Sequence, residues 1–287
     1  MIVKPELSLI MPAYNEEDKI DLVIERVDSL ARRMKLSYEL IVVDDGSVDE
    51  TRLKVDKYAK INDHVKVVGL ENNMGKGFAI KTGFLNATGD AVVFIDSDLD
   101  VDVEQVSRYI DALKENDIAV GSKWHKESVV EVSKRRKLLS HGFNILVRLF
   151  TGVNLNDTQT GLKAVRREVF EEVFKRLSIK RYAFDVELLV LARIFGLRVI
   201  ELPVQLKLNN SFRLYEVCRM LFDLLSITYR LRIKKGYMRD VSEVSSVREV
   251  LSHYAVAGED EENADIFSVP EILNYPTQNT ELKDTND

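Results

Sequence analysis

This 287-residue chain is 45% hydrophobic, which is enough for one large domain or two small ones. Its single cysteine, Cys218, excludes an internal disulfide framework and fits a reducing compartment. The first apolar run reaches Pro12 too early for a signal peptide, and no uncharged apolar stretch reaches the roughly 18 residues of a transmembrane helix. We therefore expect neither element, and we expect no nucleic-acid partner; the formal net charge is −6.

Charge is distributed unevenly along the chain. From Val241 to Asp287 there are 11 acidic and 2 basic residues, a net of −9, so the first 240 residues are mildly basic. We expect the acidic tail, 241–287, to be partly disordered. Before it, 1–211 is predicted to form one domain and 212–240 an amphipathic helix.

Strands alternate with helices over the first 200 residues. Five strands are predicted at "LSLIM", "YELIVVD", "VKVVGL", "AVVFID" and "IAVGS". Between them apolar residues recur at helical spacing, as from Ile20 to Leu30, and Ser47 and Glu50 are spaced as a capping box for the second helix. This alternation predicts an α/β fold with a mostly parallel sheet covered by helices.

Polar clusters follow each of the first four predicted strands: "PAYNEE", "DDGSVDE", "NNMGKG" and "DSDLD". Ligands of such sheets bind beyond the carboxyl ends of the strands, so four clusters on one rim predict a site for a polar, charged ligand. In the last cluster, Asp96, Asp98, Asp100 and Asp102 alternate directly after a buried strand. Like charges repel, so a cation is expected among them, with Asp102 assigned to the start of the next helix.

These four motifs, in this order and spacing, resemble the nucleotide-sugar-binding half of inverting GT-A (Rossmann-like) glycosyltransferases of family two. Further along, "RRKLLSHGFN", "DTQTGLKAVRREVF" and "RYAFDVELLVLA" resemble the polyprenyl-phosphate branch of that family. Within it, the likeness is greatest to dolichyl-phosphate glucosyltransferases and next to dolichyl-phosphate mannose synthases. The resemblance covers about residues 5–235.

The resemblance implies a donor site on the rim. It assigns Mg²⁺ or Mn²⁺ to Asp96, Asp98 and Asp100, because a divalent cation stabilises a diphosphate leaving group and prefers oxygen ligands. For Asp45 a turn-forming role ahead of Gly46 stays open. The residues implied in nucleotide binding are Pro12, Ala13, Tyr14, Glu16, Asp44, Asp45, Lys76, Asp96 and Ser97.

The second half is expected to bind the acceptor. Arg136 and Ser140 lie four residues apart near a helix start, and with the resemblance this pair is assigned to the acceptor phosphate and the catalytic set, beside Asp98. Lys123 is also assigned to the acceptor, although it stands where the family usually has arginine, and this departure removes the bidentate fork. In "NDTQTG", Gln159 and Thr160 are assigned to sugar hydroxyls.

A polyprenyl phosphate needs no general base, because its second pKa near about 6 leaves it mostly dianionic at neutral pH. Asp157 is the best of several weak candidates for a base, or orients donor or acceptor. Glu187 either supports the site or is a structural acid paired with an arginine.

The segment from Phe212 to Tyr237 has an apolar stripe at helical spacing and a basic end. It is predicted to lie in a lipid interface; packing into the core or in a homodimer gives the same spacing. The sequence thus predicts a peripheral enzyme at the cytoplasmic membrane face that transfers a hexose from a nucleotide sugar, UDP-glucose favoured, to dolichyl or another polyprenyl phosphate. GDP-mannose or UDP-N-acetylglucosamine as donor, a hydroxyl acceptor, a processive synthase and a non-catalytic binding protein are the alternatives.

Overall fold

The computed structural model describes residues 4–98, 100–178, 183–207 and 214–233, with the side chains of 214–216 left out. The chain divides into two units, Met1–Ser245 and Ser246–Asp287, and all described residues belong to the first. The predicted acidic tail, 241–287, lies outside the described residues, and the predicted boundaries at 211 and 240 stay predictions.

Strands and helices alternate as the sequence predicts. The strands are β1 (Leu7–Ala13), β2 (Tyr38–Asp44), β3 (Val65–Gly69), β4 (Ala91–Phe94), β5 (Ile118–Ser122), β6 (Val129–Glu131), β7 (Lys163–Arg166), β8 (Val199–Pro203) and β9 (Gln205–Lys207). The helices are α1 (Ile20–Met34), α2 (Thr51–Ile61), α3 (Lys76–Asn86), α4 (Val106–Ala112), α5 (Lys134–Thr151), α6 (Arg167–Arg176), α7 (Phe184–Ile194) and α8 (Leu214–Arg232).

The main sheet has the strand order β3-β2-β1-β4-β7-β5-β8. Its strands are parallel except β7, which runs antiparallel to both β4 and β5. In this register Lys163, at the start of β7, lies opposite Phe94, at the end of β4. The loop before β7 therefore reaches the same rim as the acidic loop after β4. The prediction of a mostly parallel sheet covered by helices is confirmed; β7, β8 and the small β6–β9 sheet were not predicted.

Each face of the sheet carries its own core. Neighbouring residues of β1 point to opposite faces. Ile10 therefore belongs to a core cluster with residues of α3, α5, α6, α7 and α8, whereas Leu9 belongs to one with residues of α1, α2 and α4. Both are buried, as expected for strands covered by helices on both faces.

Two local predictions have different outcomes. Asp102 accepts a hydrogen bond from the backbone N–H of Glu104 and caps a 3-10 turn ahead of α4, so its assignment to a helix start is confirmed. The capping box of Ser47 and Glu50 is wrong. The Ser47 hydroxyl instead accepts from the backbone N–H of Asn15, and Asp49 accepts from the N–H of Thr51, the first residue of α2.

Helix α8 packs one face into the core and turns the other outward. Met220, Leu224 and Ile227 are buried, whereas Phe222 and Leu225 are exposed. The buried face thus packs into the core, and the lipid interface stays a prediction for the exposed face. No helix in the described part of the chain is long and apolar enough to cross a membrane.

Candidate active site

The loops after β1, β2 and β4 are joined to one another at the rim. The backbone N–H of Asp45 donates to the carbonyl oxygen of Ala13 at 2.8 Å, and the Ser97 hydroxyl donates to the carbonyl oxygen of Pro12 at 2.9 Å. Pro12, Ala13 and Ser97, predicted to bind nucleotide, therefore belong to one hydrogen-bonded shelf.

Two predicted nucleotide-binding side chains stand on this shelf. The Tyr14 ring is 43% exposed and offers an accessible aromatic face. Glu16 is half-buried, and burial raises its pKa although the Lys19 ammonium, 3.7 Å away, opposes the shift. Lys19 also acts electrostatically on Asp98 and Asp100, so it is a cation of the site that sequence reasoning missed.

Asp44 and Asp45 are both buried, and both hold loops. Asp44 accepts from the backbone N–H of Ser47, which closes the turn after β2. Asp45 accepts from the N–H groups of Met74 and Gly75 at 2.7 and 2.9 Å, so it fixes the loop that carries Lys76. This structural role is close to the turn-forming alternative predicted for Asp45, except that the loop it holds is the one after β3.

Lys76 and the loop before β7 both meet Asp96. The Lys76 ammonium lies 2.5 Å from one carboxylate oxygen of Asp96, and this attraction outweighs burial and raises the pKa of Lys76. A Cβ atom on Gly161 would lie 1.8 Å from the other oxygen. Asp96 can therefore occupy this position only because residue 161 is a glycine.

The remaining carboxylates of the acidic loop repel one another. Burial, and then the neighbouring Asp96, raise the pKa of Asp98. Burial, and then Asp98, raise the pKa of Asp100 to about 6, although Arg136 opposes this shift. Arg136 on α5 thus lies within electrostatic reach of the acidic loop after β4.

The donor chemistry of the rim fits a hard divalent cation. Carboxylate oxygens are the ligands that Mg²⁺ and Mn²⁺ prefer, and a cation would offset the repulsion seen in the raised pKa values. However, no three acidic, histidine or cysteine side chains of the described residues come together as a ready ligand set. Asp96, Asp98 and Asp100 therefore do not form a three-carboxylate cage among the described residues, and Asp100 as a third ligand stays a prediction. Phosphate and water oxygens would complete the coordination of Asp96 and Asp98.

Asp157 is buried in a closed network. One of its oxygens accepts from the Lys123 ammonium and the Thr160 hydroxyl at 2.8 and 2.7 Å, and the other accepts from the backbone N–H of Gln159. Burial alone would raise the pKa of Asp157, but Lys123 and these hydrogen bonds hold it below its usual range. A carboxylate so occupied is a poor proton acceptor, so this geometry favours the orienting role predicted for Asp157 over that of a base.

The same network redefines three acceptor predictions. Lys123 and Thr160 spend their polar atoms on Asp157 and hold the loop, whereas Gln159 contacts Met220 of α8 through a weak 3.8 Å hydrogen bond to sulfur. Gln159 remains a candidate for a sugar hydroxyl. The buried Lys163 ammonium donates to the carbonyl oxygen of Thr160 and pairs with Asp185 at 2.9 Å, a support that sequence reasoning missed.

Glu187 is a structural acid. It accepts from the Ser178 hydroxyl and pairs with Arg230 of α8 at 3.2 Å while fully buried. Of the two predicted roles, pairing with an arginine is the one the structure favours.

Arg136 and Ser140 lie in the first two turns of α5, as predicted. Ser133 caps this helix and accepts from the backbone N–H of Arg136. The Ser140 hydroxyl is buried and has no hydrogen-bond partner within the described residues. The predicted phosphate pair therefore combines a cation near the acidic loop with an unsatisfied hydroxyl.

Solved structures define the class of this fold. The chain superposes on glucosyl-3-phosphoglycerate synthase from Mycobacterium tuberculosis, crystallised with UDP, with a TM-score of 0.60. The match has 22% sequence identity and covers 78% of this chain and 79% of that one. The fold is the GT-A type that the sequence predicts.

Sequence comparison gives the family. The profile described as glycosyl transferase family 2 matches residues 8–174, and the chain belongs to this family. It is 37% identical to a human dolichyl-phosphate beta-glucosyltransferase over 69% of this chain and 66% of that protein, so it spans just under two thirds of that relative. A dolichyl-phosphate beta-glucosyltransferase of Trichomonas vaginalis is 33% identical over 83% of this chain and 78% of its own length.

Proposed function

We propose that this chain transfers a hexose from a nucleotide sugar, with UDP-glucose favoured, to dolichyl or another polyprenyl phosphate. The reaction inverts the anomeric carbon and requires Mg²⁺ or Mn²⁺. The names of the relatives from human and Trichomonas vaginalis support the acceptor and the sugar. Crystals of the Mycobacterium tuberculosis enzyme that contain Mn²⁺ and UDP-glucose support the donor and the metal.

The observation that carries the proposal is the pair of Arg136 and Ser140 in the first two turns of α5, where the buried Ser140 hydroxyl has no hydrogen-bond partner within the described residues. The Arg136 guanidinium on α5 also interacts electrostatically with Asp100 in the acidic loop after β4. An anion bound by Arg136 would therefore lie beside the donor diphosphate. Transfer requires that the acceptor oxygen approach the sugar in line with the leaving group, and this placement serves that purpose.

On the donor side, Tyr14, Glu16 and Asp44 would hold the base and ribose, and Lys76 would meet the phosphates. When bound by Asp96 and Asp98, the divalent cation would neutralise the charge that develops on the diphosphate. Lys76 contributes positive charge from the opposite side of Asp96 to that occupied by Gly161.

The bonding of Asp157 favours a phosphate acceptor over a hydroxyl. A hydroxyl must lose a proton on attack, whereas a phosphate monoester is already largely dianionic at neutral pH. Asp157, the one base candidate from the sequence, is occupied by Lys123, Thr160 and the backbone. In the proposed reaction Asp157 positions the loop of 156–161.

A membrane surface is proposed on helices α5 and α8. The two helices cover the same core, and Arg232 of α8 donates to the carbonyl oxygen of Leu149 on α5 at 2.9 Å. Each turns an apolar stripe outward. The exposed residues are Leu138, Leu139, Ile145, Leu149, Phe222, Leu225 and Tyr229, with Ile233 directly after α8.

The charge on these helices suits anionic lipid headgroups. Helix α5 carries five basic residues and no acidic one, and it bears Arg136 and Ser140 as well as an apolar stripe. An acceptor phosphate bound there would stay close to the lipid that anchors its tail. We place this peripheral contact at the cytoplasmic membrane face, with a homodimer as the competing occupant of the surface.

The test is a transfer assay with three donors and two acceptors. UDP-glucose, GDP-mannose and UDP-N-acetylglucosamine are each given with dolichyl phosphate or with dolichol, in the presence of Mn²⁺ or a chelator. Labelled lipid should form with UDP-glucose and dolichyl phosphate when the metal is present, and NMR of the product should show inverted configuration. Equal transfer to dolichol would replace the proposal with a hydroxyl-acceptor transferase. Preference for another donor would change only the sugar.

A further inference from the structure

An aromatic cluster joins the end of β5 to the start of α5. Trp124 is the second residue after β5, next to Lys123. The Lys137 ammonium lies over the Trp124 ring, 5.5 Å from its centroid. The His141 ring meets the same indole edge to face, with 5.1 Å between centroids and 64° between planes. Lys137 and His141 are four residues apart, so they present neighbouring side chains from one side of α5.

Three hydrogen-bond donors at this junction are unsatisfied. The indole nitrogen of Trp124 and the hydroxyl oxygen of Ser140 are both buried, and neither has a hydrogen-bond partner within the described part of the chain; the Ser122 hydroxyl, at the end of β5, is the third. A buried donor without a partner costs free energy, and most such groups in proteins are paired. An indole N–H can only donate, so its missing partner is an atom that accepts.

The surroundings of the Trp124 and Ser140 donors are cationic. Arg136 directly precedes Lys137, and Ser140 directly precedes His141. The predicted phosphate pair and the two residues that contact Trp124 therefore lie side by side on the same two turns of α5. Trp124 is also the residue next to Lys123, which is locked to Asp157. The ring thus connects the fixed loop of 156–161 with the helix that carries Arg136.

We infer that Trp124 is a specificity-determining residue for the acceptor, whose indole N–H joins the Ser140 hydroxyl and the Lys137 ammonium in binding the acceptor's phosphate oxygens. This inference rests on the proposed function. A phosphate monoester has three terminal oxygens and can accept from all of these groups together with the Arg136 fork. A neutral alcohol cannot accept from so many donors at once. Lys137 is held over the ring by cation–π attraction, which keeps its charge near the subsite.

The inference can be tested by fluorescence, because Trp124 is the only tryptophan of the chain. The full chain is titrated in detergent with farnesyl phosphate, with farnesol at equal concentrations, and with UDP and Mn²⁺. Farnesyl phosphate should change the emission saturably, and Arg136→Ala should weaken this response at least about tenfold. Farnesol should give no saturable change. Unchanged emission while calorimetry records farnesyl phosphate binding would overturn the inference.

A second measurement separates recognition from packing. Trp124→Phe keeps an aromatic ring against Lys137 and His141 but removes the N–H. We expect it to raise the KM for the lipid phosphate about 3- to 10-fold, the scale of one lost hydrogen bond, and to leave kcat and the donor KM within twofold. Lys137→Met should have a similar effect, while Lys114→Met, an exposed lysine on the turn after α4, should have none.

Each outcome decides one claim. If Trp124→Phe folds with an unchanged melting temperature and retains the wild-type KM for the lipid phosphate, Trp124 is a packing residue and the inference is wrong. If the wild-type chain transfers no hexose to any prenyl phosphate, the proposed function fails instead. If Trp124→Phe raises the donor KM as well, the residue does not belong to the acceptor side.

Discussion

The loops after β1 to β4 and the acceptor side around α5 meet at one rim, but different bonds hold them. The bonds between the donor loops each involve a backbone group: the N–H of Asp45 donates to Ala13, and the Asp45 carboxylate accepts from the N–H groups of Met74 and Gly75. The acceptor side is joined mainly through side chains, as in the Lys123–Asp157 pair and the Trp124–His141 contact.

This difference suggests a division of roles. Backbone hydrogen bonds fix a shape that many sequences could adopt, and they suit a nucleotide common to many donors. Side-chain contacts change with single substitutions, so the acceptor side is where specificity can vary. Substitutions on the donor side should therefore abolish the reaction, whereas those on the acceptor side should change one substrate constant.

The largest effect is expected from Asp98→Ala. Loss of the carboxylate that helps to hold the metal should lower transfer by about 10³-fold, the scale for removing a preorganised electrostatic stabiliser. Folding should survive, and relief of the repulsion from Asp96 should raise the melting temperature by about 1–3 °C. Radiolabel transfer and thermal melting measure the two effects.

The matched control is Asp102→Asn, which removes a charge from the same stretch and keeps a residue able to cap the turn. Its activity should match that of the wild type. Undiminished transfer by Asp98→Ala in chelator-treated protein would remove the metal from the proposal.

Gly161→Ala should disturb the contact between the loop before β7 and Asp96 in the acidic loop after β4. The new methyl group would displace the Asp96 carboxylate, and a misplacement of about 1 Å at a reacting centre can lower the rate by up to about 100-fold. We expect the transfer rate to fall about 10- to 100-fold and the Mn²⁺ concentration required for activity to rise. Gly142→Ala on α5 is the control, because a Cβ there meets nothing within 4 Å. Full activity of Gly161→Ala at low Mn²⁺ would show that Asp96 tolerates the shift.

The membrane surface can be tested with Phe222, Leu225 and Ile233 changed together to Ser. All three are exposed, so the fold should remain, while binding to anionic liposomes should fall more than about tenfold. Wild-type binding should weaken at high salt, because screening reduces headgroup attraction. Leu224 belongs to the same apolar stripe but is only 1% exposed, so its replacement by Ser would disrupt the core.

Its control replaces Leu53 and Ile61, two exposed apolar residues of α2, by Ser. That variant should bind liposomes as the wild type does. If the α8 variant keeps liposome binding but loses a dimer in light scattering, the surface joins two copies of the chain.

A smaller effect is expected from pH. Burial and Asp98 raise the pKa of Asp100 to about 6, above its ordinary value, so its protonated form favours the folded state. This stabilisation is complete below about pH 4 and is lost as the pH rises through about 6. In chelator, Asp100→Asn should therefore remove a decrease of about 1–2 °C in melting temperature over that range. Identical pH profiles for the two proteins would show that Asp100 does not titrate there.

The parts that sequence predicted are those set by local patterns. Buried strands followed by polar clusters indicated the rim, and Asp102 at a helix start follows from capping chemistry alone. The capping box at Ser47 failed because Asn15, from a different loop, engages the hydroxyl. The spacing of neighbouring residues cannot predict a hydrogen bond to a different loop.

Other features depend on contacts between distant segments. The antiparallel insertion of β7 between β4 and β5 brings Gly161 against Asp96, 65 positions earlier in the chain. The pairing of Lys123 with Asp157 likewise joins residues 34 apart and converts a candidate base into a loop anchor. No periodicity predicts which partner a buried charge will find.

The central claim, a lipid-phosphate acceptor bound by α5, is tested most directly by initial rates of Arg136→Ala with each substrate varied in turn. A charge-assisted arginine–phosphate contact contributes about 1.5–3 kcal/mol, so the KM for polyprenyl phosphate should rise about ten- to more than a hundredfold. The KM for the nucleotide sugar should change little, and Arg136→Lys should recover only part of the loss, since lysine keeps the charge without the fork. A rise in the donor KM instead, with the acceptor KM unchanged, would contradict the account.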